Sequence, residues 1–209
     1  RSERLNKLIA EDCDAIVTCL YEYDVCYRPH FPNKTKFIPL PIQLPDTYSR
    51  ERCQRSKTTI FIRISRGRSV YKGTDIMLQA AKDLHSKYRH RMKLVVAEGV
   101  PYDEYIQLMD GADAILDQLY SYTPSMSPLA AMAKGIICIG GGEPENYEIL
   151  HETELHPIIN VQPNYESVYS ELESFILNPV RIPALKQQSR EYVKRHHDYL
   201  KVAGQYEEL

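Results

Sequence analysis

The chain has 209 residues, of which 43 % are apolar and 26 % charged, and its formal net charge is −2. That balance describes a soluble globular protein with a real core, and it gives no bulk electrostatic drive toward nucleic acid or an anionic membrane. No apolar run approaches the ~20 residues of a membrane-spanning helix, and five cysteines (Cys13, Cys19, Cys26, Cys53 and Cys138), without C-x-x-C spacing, suggest neither a disulfide framework nor a zinc site but a reducing cytosol.

In chain order, the first segment predicts a helix over 2–11, a strand over DAIVTCL (14–20) and a Tyr-rich turn of helix. KFIPLPIQLPD (36–46) follows, with three prolines in extended spacing, and reads as linker. A helix–strand–helix unit cannot bury a core by itself. Residues 1–45 are therefore expected to be the remnant of a preceding domain, with 46–56 as linker. The chain opens on Arg1 rather than Met, and the expectation is a fragment of a longer protein.

From Ser56 onward apolar strands alternate with helices. TTIFIRI (58–64) is β-branched and apolar, a strand, and 74–90 places Ile76, Ala80, Leu84 and Tyr88 on one helical face. MKLVVAE (92–98) is a strand, and PYDEYIQLM (101–109) a helix opened by Pro101. Strands over 112–118, 135–140 and 156–161 alternate with helices over 127–134 and 144–150, and helices over 165–177 and 185–209 end the chain. Short connections between alternating strands and helices predict an α/β fold, a Rossmann-like parallel sheet with helices on both faces, over 57–184. The last helix, 185–209, is expected to follow it.

Two loops carry the chemistry. FIRISRGRSVYKGTD (61–75) runs from a strand into a helix through Arg66, Arg68 and Lys72. Ligands of open α/β sheets bind beyond the carboxyl ends of the strands, and three cations there suit a diphosphate. The loop has neither the G-x-G-x-x-G nor the Walker spacing. YSYTPSMSPLAAMAKG (120–135) holds two prolines and no acid. Ser127 is the expected N-cap, Pro128 the first helical residue and Gly135 the stop. The positive end of that helix points to the same sheet edge as the basic loop. GGGEPENYEIL (140–150) adds glycines for close backbone approach, with Glu143, Glu145 and Glu148. Asp117, at a strand end, is a further candidate. His196-His197-Asp198 lies on a polar terminal helix and is not expected to be a site.

Together these loops resemble the C-terminal, nucleotide-sugar-binding domain of the retaining GT-B glycosyltransferases (glycosyltransferase group 1 family). The order is strand, R-x5-K-G, helix, strand, helix, Ala112-Asp113 strand, AMAKG (131–135), apolar strand and GGGEPE (140–145). The resemblance covers residues 57–209, and 14–42 is similar to the end of that family's N-terminal domain. It implies a phosphate-binding Lys72 with Arg66, Arg68 competing for the arginine's role, and a donor-facing Glu145. The family's paired glutamates, eight positions apart, fall on Tyr122 and Ala130, so both acids are replaced. Tyr122 is then expected to stack on or hydrogen-bond a sugar or base. Ser125, Met126 and Ser127 offer phosphate-facing backbone, and Gly141 and Gly142 line the donor.

The activity implied is hexose transfer from a nucleoside-diphosphate sugar to an acceptor hydroxyl with retention, in polysaccharide or glycoconjugate synthesis. It needs no cofactor and no essential metal. A glycan or lipid-linked acceptor would meet it through the rest of an N-terminal domain, in the cytoplasm or peripherally at the inner membrane face. The alternative is a non-catalytic degenerate transferase domain for nucleotide sensing or protein association. Residues 1–45 are expected to pack on the main domain, with the C-terminal helix, or on a second copy in a homo-oligomer.

Overall fold

The structure is a computed structural model and describes residues 2–45, 57–65 and 67–209. The expected linker 46–56 and Arg66 lie outside the described residues.

The centre is a five-stranded, wholly parallel sheet ordered β4-β3-β5-β6-β7. Its strands are β3 (Thr58–Ile64), β4 (Met92–Glu98), β5 (Ala114–Leu116), β6 (Ile137–Gly140) and β7 (Ile159–Asn160). The alternation of side chains along each strand sorts the core into two layers. Ile60, Ile62, Ala114, Leu116, Ile137 and Ile139 face one side, where α4 (Thr74–Lys87) and α8 (Tyr165–Leu177) supply Met77, Leu84, Leu172 and Phe175. Phe61, Ile115 and Cys138 face the other, against α5 (Tyr102–Met109), α6 (Met126–Ala133), α7 (Pro144–Ile149) and α9 (Ile182–His196). Helices thus cover both faces, as the sequence predicts.

Asp113 explains the Ala112-Asp113 pair. At the amino end of β5 its carboxylate accepts the Thr59 N–H at 2.8 Å and pairs with Lys186 at 2.7 Å. It staples α9 to the sheet at the edge opposite the carboxyl ends of the strands.

The N-terminal segment is a small unit of its own: α1 (Ser2–Asp12), β1 (Ile16–Thr18), α2 (Tyr21–Tyr27) and β2 (Thr35–Phe37), with β1 and β2 parallel. Residues 36 and 37 therefore pair with Val17 and Thr18, so the extended linker begins later than the prolines suggest. The unit packs on the main domain. Ile42 donates its N–H to the His197 carbonyl and accepts from the Tyr199 N–H.

That contact corrects the expected single helix over 185–209. The structure has two, α9 and α10 (Tyr199–Glu207), broken at His197 and Asp198. Asp198 adopts ψ 120° and caps α10 by accepting the Leu200 N–H. The backbone groups released at the break bond Ile42 instead. Among the described residues no helix is long and apolar enough to cross a membrane.

Candidate functional site

The chain leaves β3 through α4 to β4 on one side, then returns through α5 to β5 on the other. The carboxyl ends of β3 and β5 are thus a topological switch point, where the outgoing loops diverge and leave a crevice for ligands.

From β3 the chain passes Gly67 and Arg68 into a short helical turn, α3 (Ser69–Lys72). Gly73 ends it at φ 69°, and a Cβ there would lie 2.8 Å from the Leu119 Cβ, so only glycine fits. The Leu119 N–H donates to the Lys72 carbonyl at 2.9 Å. This joins the loop after β3 to the loop after β5. Lys72 is half-buried and Arg68 exposed.

Asp117 stands between the two loops, as the sequence allowed. Burial pushes its carboxyl up to about 7, against the opposing pull of the Lys72 charge and a backbone hydrogen bond from Ser125. A value of about 7 marks a group poised between its two charge states near neutral pH. Lys72, Asp117 and Ser125 therefore meet at the switch point.

Ser125, not Ser127, is the N-cap of α6, at φ −85° and ψ −175°, and its side chain makes no capping bond. Pro128 accordingly lies in the first turn beyond the first helical position. Ser127 instead shares a hydrogen bond with the Tyr105 hydroxyl, and the Arg63 guanidinium lies 5.0 Å from the Tyr105 ring. Tyr105 and Arg63 were not singled out by sequence. Their residue types fit core helix and strand positions as readily as a site. Met126 is exposed and Ser127 half-buried, both in the first turn of α6.

No family profile matches the sequence, and no curated protein matches it. Solved structures do. S. aureus TarM, as a mutant in complex with Fondaparinux, alpha-GlcNAc-glycerol and UDP, superposes with a TM-score of 0.68 at 10 % identity, over 95 % of this chain and 44 % of TarM. Anabaena HepE in complex with UDP gives 0.67 at 14 % identity, over 97 % and 65 %. Sucrose-phosphate synthase from Thermosynechococcus elongatus gives 0.67 at 15 %, over 98 % and 59 %. The five-stranded parallel sheet with helices on both faces matches the Rossmann-like half of the GT-B fold. The chain spans between 44 % and 65 % of the length of these three proteins.

In this GT-B half, Tyr122 is 45 % exposed and its ring lies 5.2 Å from that of Tyr21. Its carbonyl accepts the Glu143 N–H, tying the 120–125 loop to the turn after β6. Ala130 is half-buried in α6. Glu145, in the first turn of α7, faces Tyr21. The Tyr21 hydroxyl is held above its usual value by lost hydration first and then by the Glu145 charge.

The glycines after β6 are required by close packing. A Cβ on Gly141 would lie 1.7 Å from the Ser121 carbonyl oxygen, and Gly142 donates its N–H to Asn160 at 3.1 Å. Both are buried. Gly141 lets the loop before α6 close on the turn after β6, and Gly142 lines an open depression beside α7.

The acid that sequence reasoning missed is Glu22, from α2. Oε1 accepts the Ser121 hydroxyl at 2.6 Å and the backbone N–H groups of Tyr122 at 2.6 Å and Thr123 at 3.1 Å. Oε2 accepts the Thr123 hydroxyl at 2.7 Å. Partial burial raises the Glu22 carboxyl, but these donors together outweigh it and hold the group below its usual range. Its partners are 99 to 101 residues distant, so no local pattern could have revealed it.

The His196-His197-Asp198 cluster is built into the scaffold. His196 bonds Glu152 at 2.6 Å, and the buried His197 bonds the Leu40 carbonyl through Nδ1. An open depression of about 780 Å³ lies beside α7 and β7, lined by Glu148, His151, Glu152 and His156 among others. It has no lysine or arginine in its lining.

Proposed function

We propose that this protein is the donor-binding part of a retaining glycosyltransferase, passing a hexose from a nucleoside-diphosphate sugar to an acceptor hydroxyl in polysaccharide or glycoconjugate synthesis. The observation that carries the reading is the convergence of Lys72, Asp117 and Ser125 at the switch point. The fold there is one that HepE and TarM present in complexes with UDP.

In this reading Lys72 and an arginine of the same loop, Arg66 or Arg68, stabilise the negative charge that gathers on the departing diphosphate. Preorganised charge of this kind is commonly the largest contribution to such catalysis. The positive end of α6 adds to it. Tyr122, Met126 and Ser127 border the sugar side, with Glu145 beyond them. No metal or cofactor takes part. The acceptor, a glycan or a lipid-linked sugar, meets the donor against an N-terminal domain, on the cytoplasmic side of a membrane.

The test is a thermal-shift screen of UDP-, GDP- and ADP-sugars against the protein. A ligand bound by the native state raises its stability in proportion to ln(1 + [L]/Kd). One nucleotide class is expected to raise the melting temperature in a saturable manner, and no shift with any class would refute the reading. Replacement of the family's two acids by Tyr122 and Ala130 favours a second reading, a non-catalytic nucleotide-sensing domain. Release of free nucleoside diphosphate from the donor by the longer protein separates the two.

A further inference from the structure

We propose that the cleft between the N-terminal unit and the break in the terminal helix binds a phosphate monoester, at a site separate from the switch point. The phosphate belongs either to a small soluble ester or to the headgroup of a lipid such as phosphatidic acid. The proposal does not depend on the donor-site reading above.

The cleft has a volume of about 550 Å³. Three cations from three elements line it: Arg28 at the C-cap of α2, Arg195 in the last turn of α9, and Lys201 in α10. Gln205, one turn beyond Lys201 on the same helical face, lines it as well. Among the described residues no carboxylate does.

The donors are unequally used. Arg28 is largely committed: Nε and Nη2 donate to Asp24, and Nη1 donates to the Thr35 carbonyl. Arg195 is not. All its hydrogen bonds, to Glu152 and Glu154, leave from Nη1. Among the described residues Nε and Nη2 have no acceptor, which leaves three N–H groups free. The Lys201 ammonium donates one bond, to the Lys194 carbonyl at 3.2 Å, which holds it at the end of α9. It pairs with no carboxylate among the described residues and keeps two N–H groups. The carboxylates that offset part of the arginine charge, Asp24, Glu152 and Glu154, lie outside the lining.

A cavity rich in unused donors and without acceptor charge suits an anion. Phosphate accepts from several donors at once, and guanidinium meets it as a planar fork. The rest of the lining includes Phe37, Pro39, Ile149 and Leu150. A bare inorganic ion leaves that apolar surface unused, whereas the organic half of an ester covers it. The bound ester ties α9 and α10 to the N-terminal unit, which here meet through the backbone bonds of Ile42 and the Leu40 carbonyl.

Two arms distinguish the sources. Calorimetry at pH 7.5 reads sn-glycerol 3-phosphate, with glycerol as the neutral control. Co-sedimentation reads vesicles of phosphatidic acid in phosphatidylcholine against phosphatidylcholine alone. Both are run on wild type, Lys201→Glu, Gln205→Glu and Lys72→Ala, with melting temperatures alongside. Lys201 and Gln205 are exposed, so either variant carries the test if the other does not fold. Wild type is expected to bind in at least one arm, saturably and only with the phosphate present. Lys201→Glu and Gln205→Glu are expected to bind at least about tenfold more weakly, the scale of one lost charge-assisted contact, while Lys72→Ala stays within about twofold. No binding in either arm would overturn the proposal, as would equal affinity in wild type and the two cleft variants. Binding lost in Lys72→Ala but kept in Lys201→Glu would also overturn it, by placing the phosphate at the switch point; that result would leave the donor-site reading standing.

Discussion

Lys72→Ala tests the switch point directly. Lys72 is half-buried, its carbonyl is held by Leu119, and its charge acts on Asp117. A charge-assisted contact to a phosphate is worth about 1.5–3 kcal/mol, so the variant should bind UDP about 10- to 100-fold more weakly. Uridine, which has no phosphate to lose, should be affected far less. Removing Lys72 also removes the charge that opposes the burial of Asp117. That carboxyl, at about 7 in the intact site, then rises further and is neutral at neutral pH. Adding Asp117→Asn to Lys72→Ala should therefore change UDP affinity little near pH 7.

In the wild type, Asp117 acquires its negative charge as pH rises through about 7. UDP affinity should fall on the alkaline side, and Asp117→Asn alone should abolish that fall. Isothermal calorimetry between pH 6.5 and 8.5, in the ordinary range of protein handling, reads all of these. UDP affinity unchanged in Lys72→Ala, or lost equally for uridine, would refute the claim that this lysine meets a diphosphate.

His197 makes stability pH-dependent in a defined direction. Burial lowers it to about 4 from an ordinary 6.5, so the unfolded chain takes up the proton first as pH falls. The stability is fully present above about 6.5 and is lost between 6.5 and 4, by roughly 3 kcal/mol; urea denaturation should show this slope, diminished in His197→Asn. Gly141→Ala should be severely destabilising, since its Cβ would lie 1.7 Å from the Ser121 carbonyl. In Gly204→Ala, within α10 and with nothing within 4 Å of the new carbon, stability should hold or rise by up to ~1 kcal/mol. Equal melting temperatures for these two variants would contradict the packing described for the turn after β6.

The sheet was legible because its information is local. Ile60, Phe61 and Ile62 alternate between the two core layers as their period requires, and Gly73 marks its turn by type. The helix break at His197 was not legible, because nothing in HHDY forbids helix. The backbone bonds that Ile42 offers decide it, from the other end of the chain. The capping shift at α6 has a similar origin. Ser127 and Pro128 suit a helix start by propensity, but Tyr105 engages the Ser127 hydroxyl and Ser125 takes the capping position. Within the site, Lys72 could be named from its place after a strand. Glu22 could not, since a glutamate on a Tyr-rich helix is an ordinary solvent-facing residue until the fold brings Ser121 to it.

The bond between His197 and the Leu40 carbonyl closes a loop of 157 residues. During synthesis the N-terminal unit emerges long before its partner at the other end of the chain exists. The segment around Leu40 and Ile42 must then wait undocked while the whole sheet is made and released. Contacts of such long separation are costly to close and slow to form. A ribosome stalled before residue 197 would hold the sheet beside a Leu40–Ile42 segment that has not yet docked.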